Sequence, residues 1–268
     1  MPELLFEKRG HVAWITINRP DAKNTLNAGA FVALDEAWQE VAADDQIRCA
    51  VVTASGQHDF CCGGDLSAVI PLWTGQRQPQ NAVEEKLLAD PALVDRVMLK
   101  NVEFYKPVIA AINGRALGGG CELIQATDIR IAAEHAQFGL PESKVGLVPG
   151  AGSMVRLPRQ IPYTQAMKIL LTGEPIDSRT ALSIGLISDV VAATDLLDEA
   201  ERVAERVARN APLALQAIKK TALATHTISW ADAFRVEASE AARVMMSRDA
   251  REGPKAFKDR REPEFIGN

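Results

Sequence analysis

The order of strand-like and helix-like segments near the start of the chain restricts its fold more than any other feature. Residues 11–18, HVAWITIN, alternate between two apolar faces, which predicts a strand. Residues 28–43 repeat apolar side chains at helical spacing, and an apolar segment at 49–56, CAVVTASG, predicts a second strand. A strand, a helix and a strand in this order predict a right-handed crossover in an α/β protein.

The rest of the chain divides into two further parts. The segments 107–114 and 128–139 continue the α/β alternation, whereas helical patterns dominate from about residue 160. Between the second and third strands, residues 70–104 form a Pro/Gln-rich turn followed by a helical pattern, which we predict covers the mouth of a site. A chain of 268 residues is near the limit of one core, so we predict one α/β domain with a smaller helical module.

Composition excludes several classes of protein. The net charge of −5, with acidic and basic residues interspersed, argues against a broad nucleic-acid-binding surface. No apolar run approaches the roughly 18 residues of a membrane-spanning helix, and the first residues lack the apolar core of a signal peptide. The four cysteines have no disulfide-framework spacing. We therefore expect a cytoplasmic protein with free thiols that binds neither membranes nor nucleic acid.

Two glycine-rich turns predict a site for negative charge. GRALGGGCEL at 114–123 and DFCCGGDL at 59–66 each follow a predicted strand. Glycine permits close backbone approach, and a helix that begins after such a turn directs free N–H groups into it. Neither the dinucleotide-binding motif nor the P-loop motif is present, so we favour two N–H groups that hold one carbonyl oxygen as negative charge develops on it.

Two glutamates adjoin these turns. Glu122 follows the glycine run directly, and Glu142 lies in FGLPESKVGLVPGAG at 138–152. Paired carboxyls in a dry site can move protons near neutral pH. Taken singly, each glutamate is more typical of a solvated surface, and a lone glycine pair is more typical of a tight turn. Their joint placement favours a catalytic site.

Other reactive side chains are set aside. The four histidines have no spacing for a metal, and the vicinal cysteines are not a C-x-x-C clamp, so we predict no metal. Cys62 is interpreted as an inert buried thiol rather than a reactive one. Ser153 lacks the G-x-S-x-G elbow of a serine nucleophile, and Asp128 is interpreted as a turn residue.

Five motifs together resemble a known family. NRPDAKNTLN, FCCGGDL, KPVIAAINGRALGGGCEL, FGLPESKVGLVPGAG and EGPKAFKDRREPEF resemble, in order and spacing, the enoyl-CoA hydratase/isomerase (crotonase) family over nearly the whole chain. The resemblance implies an α/β fold with a repeated ββα core arranged as a spiral. It implies that residues 1–200 form this core with the acyl-CoA site, and that residues 201–268 form a helical module for oligomerisation and CoA contact.

The resemblance also implies roles for individual residues. The Gly64 and Gly119 N–H groups would stabilise the enolate oxygen of an acyl-CoA thioester. Glu122 would hold and activate water, while Glu142 would exchange the proton at the α carbon. Gly150 would support the site from a helix N-terminus. Because both glutamates are present, we favour hydration over an isomerisation that uses a single acid.

Substrate contacts and assembly follow from the same resemblance. Homologous enzymes commonly form trimers or dimers of trimers in which the C-terminal helix reaches a neighbouring subunit. The predicted substrate- and CoA-binding residues are Cys62, Gly64, Asp65, Leu66, Ser67, Gly119, Gly150, Phe257 and Arg260. Several residues depart from the family pattern: Gly64 replaces an alanine, Ser67 a common Lys or Arg, and GAGSMVRLP a common GAGGTQRLP.

The expected function is that of an enoyl-CoA hydratase, a lyase of fatty acid metabolism with no cofactor beyond the CoA of its substrate. Trp73 and Leu72, in an insert longer than in short-chain hydratases, are candidates for the wall of the acyl pocket, although a loop or core position suits Trp73 equally. Alternatives are an isomerase, dehydratase, decarboxylase or thioester hydrolase of the same family, or a non-catalytic binding protein on this fold.

Overall fold

The structure, a computed structural model, describes residues 1–268 and contains two β-sheets flanked by helices. The strands are β1 Leu4–Arg9, β2 Val12–Ile17, β3 Cys49–Ala54, β4 Asp59–Cys61, β5 Val108–Ile112, β6 Arg115–Leu117, β7 Ile129–Ala133, β8 Gln137–Gly139, β9 Ile176–Asp177 and β10 Asp189–Val191. The helices are α1 Ala28–Ala43, α2 Ile70–Trp73, α3 Ala82–Ala89, α4 Leu93–Val97, α5 Gly119–Ile124, α6 Ser153–Gln160, α7 Tyr163–Thr172, α8 Ser178–Ser183, α9 Leu196–Ala208, α10 Pro212–Ala224, α11 Trp230–Met245 and α12 Asp249–Asp259. Short 3₁₀ turns lie at Pro20–Ala22, Pro141–Val145 and Ala193–Asp195.

The larger sheet has six strands in the order β1-β2-β3-β5-β7-β10. The pair β1-β2 is antiparallel, and every other neighbouring pair is parallel. Both faces of β2 are buried: Val12 and Trp14 face one apolar cluster, and Ala13, Ile15 and Ile17 face the other. Burial on both faces explains why these parallel strands are apolar almost throughout. The predicted α/β class is confirmed.

The smaller sheet has the order β4-β6-β8-β9, and its first three strands are parallel. Three times the chain passes from a strand of the larger sheet to one of the smaller sheet and then to a helical segment. These repeats are β3-β4-α2, β5-β6-α5 and β7-β8 with the 3₁₀ turn at Pro141–Val145. The predicted repeated ββα core is confirmed. Because parallel neighbours end at the same edge, the segments after β4, β6 and β8 are brought together.

Residues 70–104 form the three short helices α2, α3 and α4, which pack beside α1. The helix α1 begins at the residue that the sequence predicted, because the Asn27 side chain accepts a hydrogen bond from the Ala30 N–H. The buried Trp38 indole donates to the Val97 carbonyl at 3.1 Å and so ties α1 to the insert. The insert is therefore packed on the core rather than being a free loop.

The predicted domain boundary at residue 200 falls inside α9. Leu196, Ala200, Ala204 and Ala208 are all buried against the larger sheet. This helix therefore belongs to the α/β core, and the separate helical module begins after Ala208. The helical spacing of α9 resembles that of the helices after it, so the sequence pattern does not separate them.

Three features of the fold are not marked by the sequence pattern. The strand β1 was not predicted, because its side chains are mostly exposed and include three charged residues. The segment 128–139 forms two strands, β7 and β8, that belong to different sheets. The region after residue 160 also contains the short strands β9 and β10 among its helices. In addition, none of the helices is both long and apolar enough to cross a membrane.

Candidate active site

A cavity of about 700 Å³ opens where β4, β6 and β8 end. It is lined by the turn after β4, the start of α5, the 3₁₀ turn after β8, and residues of the 70–104 insert. Among the residues predicted for the site, those that line the cavity are Cys62, Gly64, Leu66, Gly119, Glu122, Glu142 and Gly150. The sheet therefore gathers residues that are almost 90 positions apart in the chain.

The two glycine turns are in direct contact. Gly63 has φ +84°, and a Cβ on it would lie 2.9 Å from the Gly119 nitrogen, so no side chain fits between the turns. Leu26 holds the first turn in place: its N–H donates to the Gly63 carbonyl at 2.8 Å, and its carbonyl accepts from the Asp65 N–H at 2.9 Å. The close packing of two backbones depends on glycine here.

Two N–H groups are available at this contact. The Gly64 N–H donates to no backbone carbonyl. Gly119 is the first residue of α5, where an N–H has no partner within its helix. A Cβ on Gly119 would lie 3.7 Å from the Gly64 nitrogen, so the two donors are neighbours in space. Paired backbone donors of this kind stabilise negative charge that develops on a carbonyl oxygen.

Glu122 lies at the inner wall of the cavity on the first turn of α5 and is 3% exposed. Its Oε1 accepts a hydrogen bond from the Ser153 N–H at 3.0 Å. Burial, with a smaller contribution from the nearby Glu142, raises the pKa of Glu122 to about 7, while the Ser153 N–H acts in the opposite direction. The carboxyl can therefore gain or lose a proton near neutral pH.

Glu142 enters the cavity from the 3₁₀ turn after β8. Its Oε1 lies close to Gly118, since a Cβ on that glycine would be 3.0 Å away. Its Oε2 is buried and has no hydrogen-bond partner in the protein. Burial raises the pKa of Glu142. A carboxyl with an unpaired buried oxygen is placed to give a proton to a ligand or take one from it.

An apolar wall lines the same cavity as the two glutamates. It contains Phe31 from α1 and Trp73 from α2, whose rings pack edge to face with centroids 5.6 Å apart. The Trp73 ring lies beside Gly64, because a Cβ on that glycine would be 3.8 Å from the Trp73 Cζ3 atom. Trp73 therefore lines the cavity, whereas the other candidate for this wall, Leu72, is buried in the core outside it.

The turn after β4 is held by its own side chains. Asp65 Oδ1 accepts from the Ser67 Oγ–H at 2.7 Å and from the Ser67 and Ala68 N–H groups, and Arg19 approaches Asp65 at 3.3 Å. Asp65 and Ser67 thus shape the turn without lining the cavity. Burial, together with the nearby Asp59, raises the pKa of the Cys62 thiol to about 12, so this thiol is unreactive.

The two predicted C-terminal contacts lie outside the cavity. Phe257 is on α12 and is 87% exposed, and Arg260 follows the end of that helix. Neither lines the cavity of its own chain. Their contact with CoA in a neighbouring subunit remains a prediction.

The residues set aside from the sequence have structural partners. Asp128 accepts hydrogen bonds from the Val108 N–H and from Lys219 Nζ, each at 2.8 Å. Ser153 is fully buried, and its hydroxyl oxygen accepts from Gln125 at 2.8 Å. No group of three or more His, Cys, Asp or Glu side chains is arranged to hold a metal.

Sequence reasoning missed several residues of the cavity. Phe31, Val94, Asp95 and Met98 come from α1 and from the insert, far from any glycine turn. Arg156, one turn after Ser153, donates to the carbonyl of Met98 at 2.9 Å and so joins α6 to the insert. Only helical periodicity marks these residues in the sequence, and that pattern also marks ordinary core residues.

The geometry defines a class of protein: an α/β enzyme with two backbone donors for an oxyanion and two carboxyls with raised pKa values beside an apolar wall. A model of the enoyl-CoA hydratase/isomerase family matches residues 7–268. The enoyl-CoA hydratase EchA19 of Mycobacterium tuberculosis (strain ATCC 25618 / H37Rv) is 40% identical over 264 residues, which are 98% of this chain and 96% of that protein.

Two further comparisons agree. The (E)-benzylidenesuccinyl-CoA hydratase of Thauera aromatica is 40% identical over 267 residues, which cover 100% of both chains. The crystal structure of an enoyl-CoA hydratase from Mycobacterium tuberculosis H37Rv superposes with a TM-score of 0.89 at 35% identity, again over 100% of both chains. This chain belongs to the enoyl-CoA hydratase/isomerase family and is an enzyme with the crotonase fold.

Proposed function

We propose that this enzyme is an enoyl-CoA hydratase that adds water in syn fashion to a 2-enoyl-CoA. The observation that carries the proposal is the presence of both Glu122 and Glu142 at the cavity that contains the Gly64 and Gly119 N–H groups. An isomerisation that moves one proton needs a single carboxyl, whereas addition of water needs one group for the water and one for carbon.

The proposed steps balance in atoms and charge. The thioester carbonyl accepts hydrogen bonds from the Gly64 and Gly119 N–H groups. Ionised Glu122 takes a proton from water as the water oxygen bonds to the β carbon, and the electrons of the double bond move to the thioester oxygen as an enolate. Protonated Glu142 then gives its proton to the α carbon, and the carbonyl re-forms. The pair ends with one proton, as it began, because the two groups titrate as a coupled unit.

The electrostatics of the site support this cycle. A pKa of about 7 for Glu122 allows the ionised form to be populated at neutral pH while the carboxylate remains basic enough to take a proton. The raised pKa of Glu142 favours its protonated form. Removal of one oxyanion donor in other enzymes raises the barrier by about 2.7–4 kcal/mol, so the glycine turns contribute as much as either acid.

We infer that the acyl tail is apolar and that CoA is the only non-protein group the reaction needs. Phe31, Trp73 and Met98 supply an apolar wall beside the oxyanion donors. We also propose a cytoplasmic homo-oligomer, a trimer or a dimer of trimers. Large apolar side chains exposed on α11 and α12, including Trp230 at 78% and Phe257 at 87%, support burial against other subunits.

The test is the loss of enoyl-thioester absorbance with crotonyl-CoA and with a longer 2-enoyl-CoA. Wild type is compared with Glu122→Gln and Glu142→Gln, which keep the shape of each side chain but remove its acid–base function. Rapid loss that either substitution abolishes is the expected result, with a 3-hydroxyacyl-CoA as product.

Absence of turnover with every enoyl-CoA, while CoA binding persists, would contradict hydration. Isomerase, decarboxylase and thioesterase assays on the same protein would then identify which reaction the oxyanion site supports. Retention of CoA without turnover in any of these assays would instead point to a binding protein on this fold.

A further inference from the structure

A buried polar cluster lies directly behind Glu122. It consists of Gln125 at the end of α5 and Ser153 at the start of α6. Gln125 is 2% exposed, and Ser153 is fully buried. Neither residue lines the cavity.

Hydrogen bonds join Glu122, Ser153 and Gln125. The Ser153 N–H donates to Glu122 Oε1 at 3.0 Å, and the Ser153 hydroxyl oxygen accepts from Gln125 Nε2 at 2.8 Å. Glu122 and Gln125 are three residues apart and belong to the same short helical segment. Ser153 is thus held from two sides by α5, once through its backbone and once through its side chain.

The orientation of the Gln125 amide is determined by its second contact. Nε2 also donates to the Cys121 carbonyl at 2.9 Å, and a carbonyl can only accept, so the nitrogen rather than the oxygen faces this position. Both N–H bonds of the amide are therefore used, one on Cys121 and one on Ser153. The amide oxygen of Gln125 is left buried without a partner.

An unpaired buried acceptor is unfavourable for folding and calls for an explanation. An apolar side chain of the same length would fill the space without it. Unlike an apolar side chain, the amide donates a hydrogen bond to the Ser153 hydroxyl oxygen. The start of α6 has no side-chain cap of its own, so this contact fixes the N–H group that meets Glu122.

We propose that Gln125 and Ser153 are positioning residues for Glu122, in which the Gln125 amide holds the Ser153 hydroxyl and thereby keeps the Ser153 N–H on the Glu122 carboxylate. The role in turnover rests on the proposed hydration. The role in holding the carboxylate does not, because it depends only on contacts within the protein.

Several charged and titratable groups surround Glu122. Glu142 approaches from the 3₁₀ turn after β8, and Arg156 lies on α6 and interacts with both Glu122 and Asp95 of α4. Cys121 is next to Glu122 in sequence, but burial raises the pKa of its thiol to about 12, so it stays neutral. Loss of the Ser153 N–H contact removes an interaction that favours the ionised form, so the pKa of Glu122 then rises.

The experiment compares Gln125→Met and Ser153→Ala with wild type. A matched control is Gln160→Met, because the Gln160 side chain donates at 2.8 Å to the backbone carbonyl of Gln125 from the far end of α6. This control removes a hydrogen bond between the same two segments without touching the Ser153 hydroxyl. Thermal unfolding first establishes that each variant is folded.

Two readouts are measured on each folded variant. The first is kcat and KM for hydration of crotonyl-CoA as a function of pH. The second is the titration of the Glu122 carboxyl in the substrate-free protein by difference infrared spectroscopy, with the band assigned by its absence in Glu122→Gln.

For Gln125→Met and Ser153→Ala we expect kcat to fall on the order of tenfold, as for loss of one hydrogen bond to a charged group, with KM changed less than about twofold. We also expect the acid limb of kcat and the infrared titration to move together to higher pH. Gln160→Met should leave both readouts unchanged.

Wild-type kcat and an unmoved Glu122 titration in folded Gln125→Met would overturn the proposal, as would equal effects in Gln160→Met. If wild type hydrates no enoyl-CoA, the proposed function fails, and the infrared titration still decides whether Gln125 and Ser153 hold the carboxylate.

Discussion

At the scale of single residues, the site depends on two carboxyls whose pKa values are raised by burial. Glu122 is buried and meets the N–H of Ser153, and Glu142 leaves one oxygen without a partner. Burial raises the pKa of both acids, and the N–H of Ser153 partly offsets this effect at Glu122. Both predictions at this scale follow from the raised pKa of Glu122.

The first concerns the pH dependence of kcat/KM for hydration. In the proposed mechanism, water activation needs ionised Glu122, whose pKa is about 7, so kcat/KM should fall below an inflection near pH 7. Initial rates with crotonyl-CoA between pH 5 and pH 10 test this profile, and a rate that is flat between pH 5 and pH 7 would be evidence against Glu122 as the base.

The second concerns stability. The pKa of Glu122 is raised from 4.5 to about 7, so ionisation opposes folding: this contribution is absent below about pH 4.5, grows between these values and is complete above about pH 7. Glu122→Gln should therefore raise the free energy of unfolding by about 2 kcal/mol at pH 8 and by little at pH 4.5. Urea unfolding at both pH values measures the difference, and an equal effect at both would show that the carboxyl ionises without penalty.

At the scale of elements, the glycine turns pack directly on one another through backbone atoms, because glycine has no side chain to separate them. Gly120, at the start of α5, shows this most clearly: a Cβ there would lie 2.0 Å from the Cys61 carbonyl oxygen of β4. The start of the helix and the end of the strand can meet only if this position has no side chain. The same contact brings Glu122 toward the cavity.

We expect Gly120→Ala to destabilise the protein by about 3 kcal/mol, because backbone atoms on both sides must move. Gly253→Ala is the matched control: that glycine lies inside α12, and an added Cβ would make ordinary contact with Phe265 at 3.5 Å. The control should gain about 0.5–1 kcal/mol from helix propensity. Urea unfolding compares the two, and similar values for both would contradict the close packing of α5 on β4.

The insert supplies a prediction about the acyl tail. Trp73→Ala should raise the ratio of kcat/KM for a long-chain enoyl-CoA over crotonyl-CoA by about tenfold, because loss of the ring opens the wall beside Gly64. Initial rates with both substrates give this ratio. An unchanged ratio would mean that the tail runs along another wall of the cavity.

At the scale of the whole molecule, the smaller sheet assembles the site. Its parallel strands β4, β6 and β8 end at one edge, and each is followed by one part of the site: the Gly64 donor, then Gly119 with Glu122, then Glu142. The helical module after α9 lies outside this arrangement and carries the exposed apolar side chains of α11 and α12. Its role in assembly is the remaining prediction.

We expect the 29.0 kDa chain to sediment as a trimer of about 87 kDa or as twice that mass. Trp230→Glu should reduce that mass, because burying a carboxylate against an apolar partner is unfavourable. Analytical ultracentrifugation measures both species. A wild type that sediments as a monomer would rule out the proposed assembly.

Much of the fold was predictable from local pattern. The alternation in β2 and the periodicity of α1 identified both elements, because side-chain period reports burial directly. The exposed strand β1 and the division of residues 128–139 between two sheets were not predictable, since both depend on which strands pair. For the site, glycine turns beside glutamates and the resemblance to the family predicted the candidate donors and acids that line the cavity. Phe31, Met98 and the Gln125–Ser153 contact have no local signature.

The sequence by itself determined the class of fold, the glycine turns and the identity of the two acids, because these are properties of adjacent residues and of their spacing. Only the tertiary structure decided the rest: that the turns after β4 and β6 touch, that Glu122 is buried deeply enough to titrate near pH 7, and that α9 belongs to the core. The physical reason is that close approach and desolvation depend on chain segments far apart in sequence, and strand pairing brings those segments together.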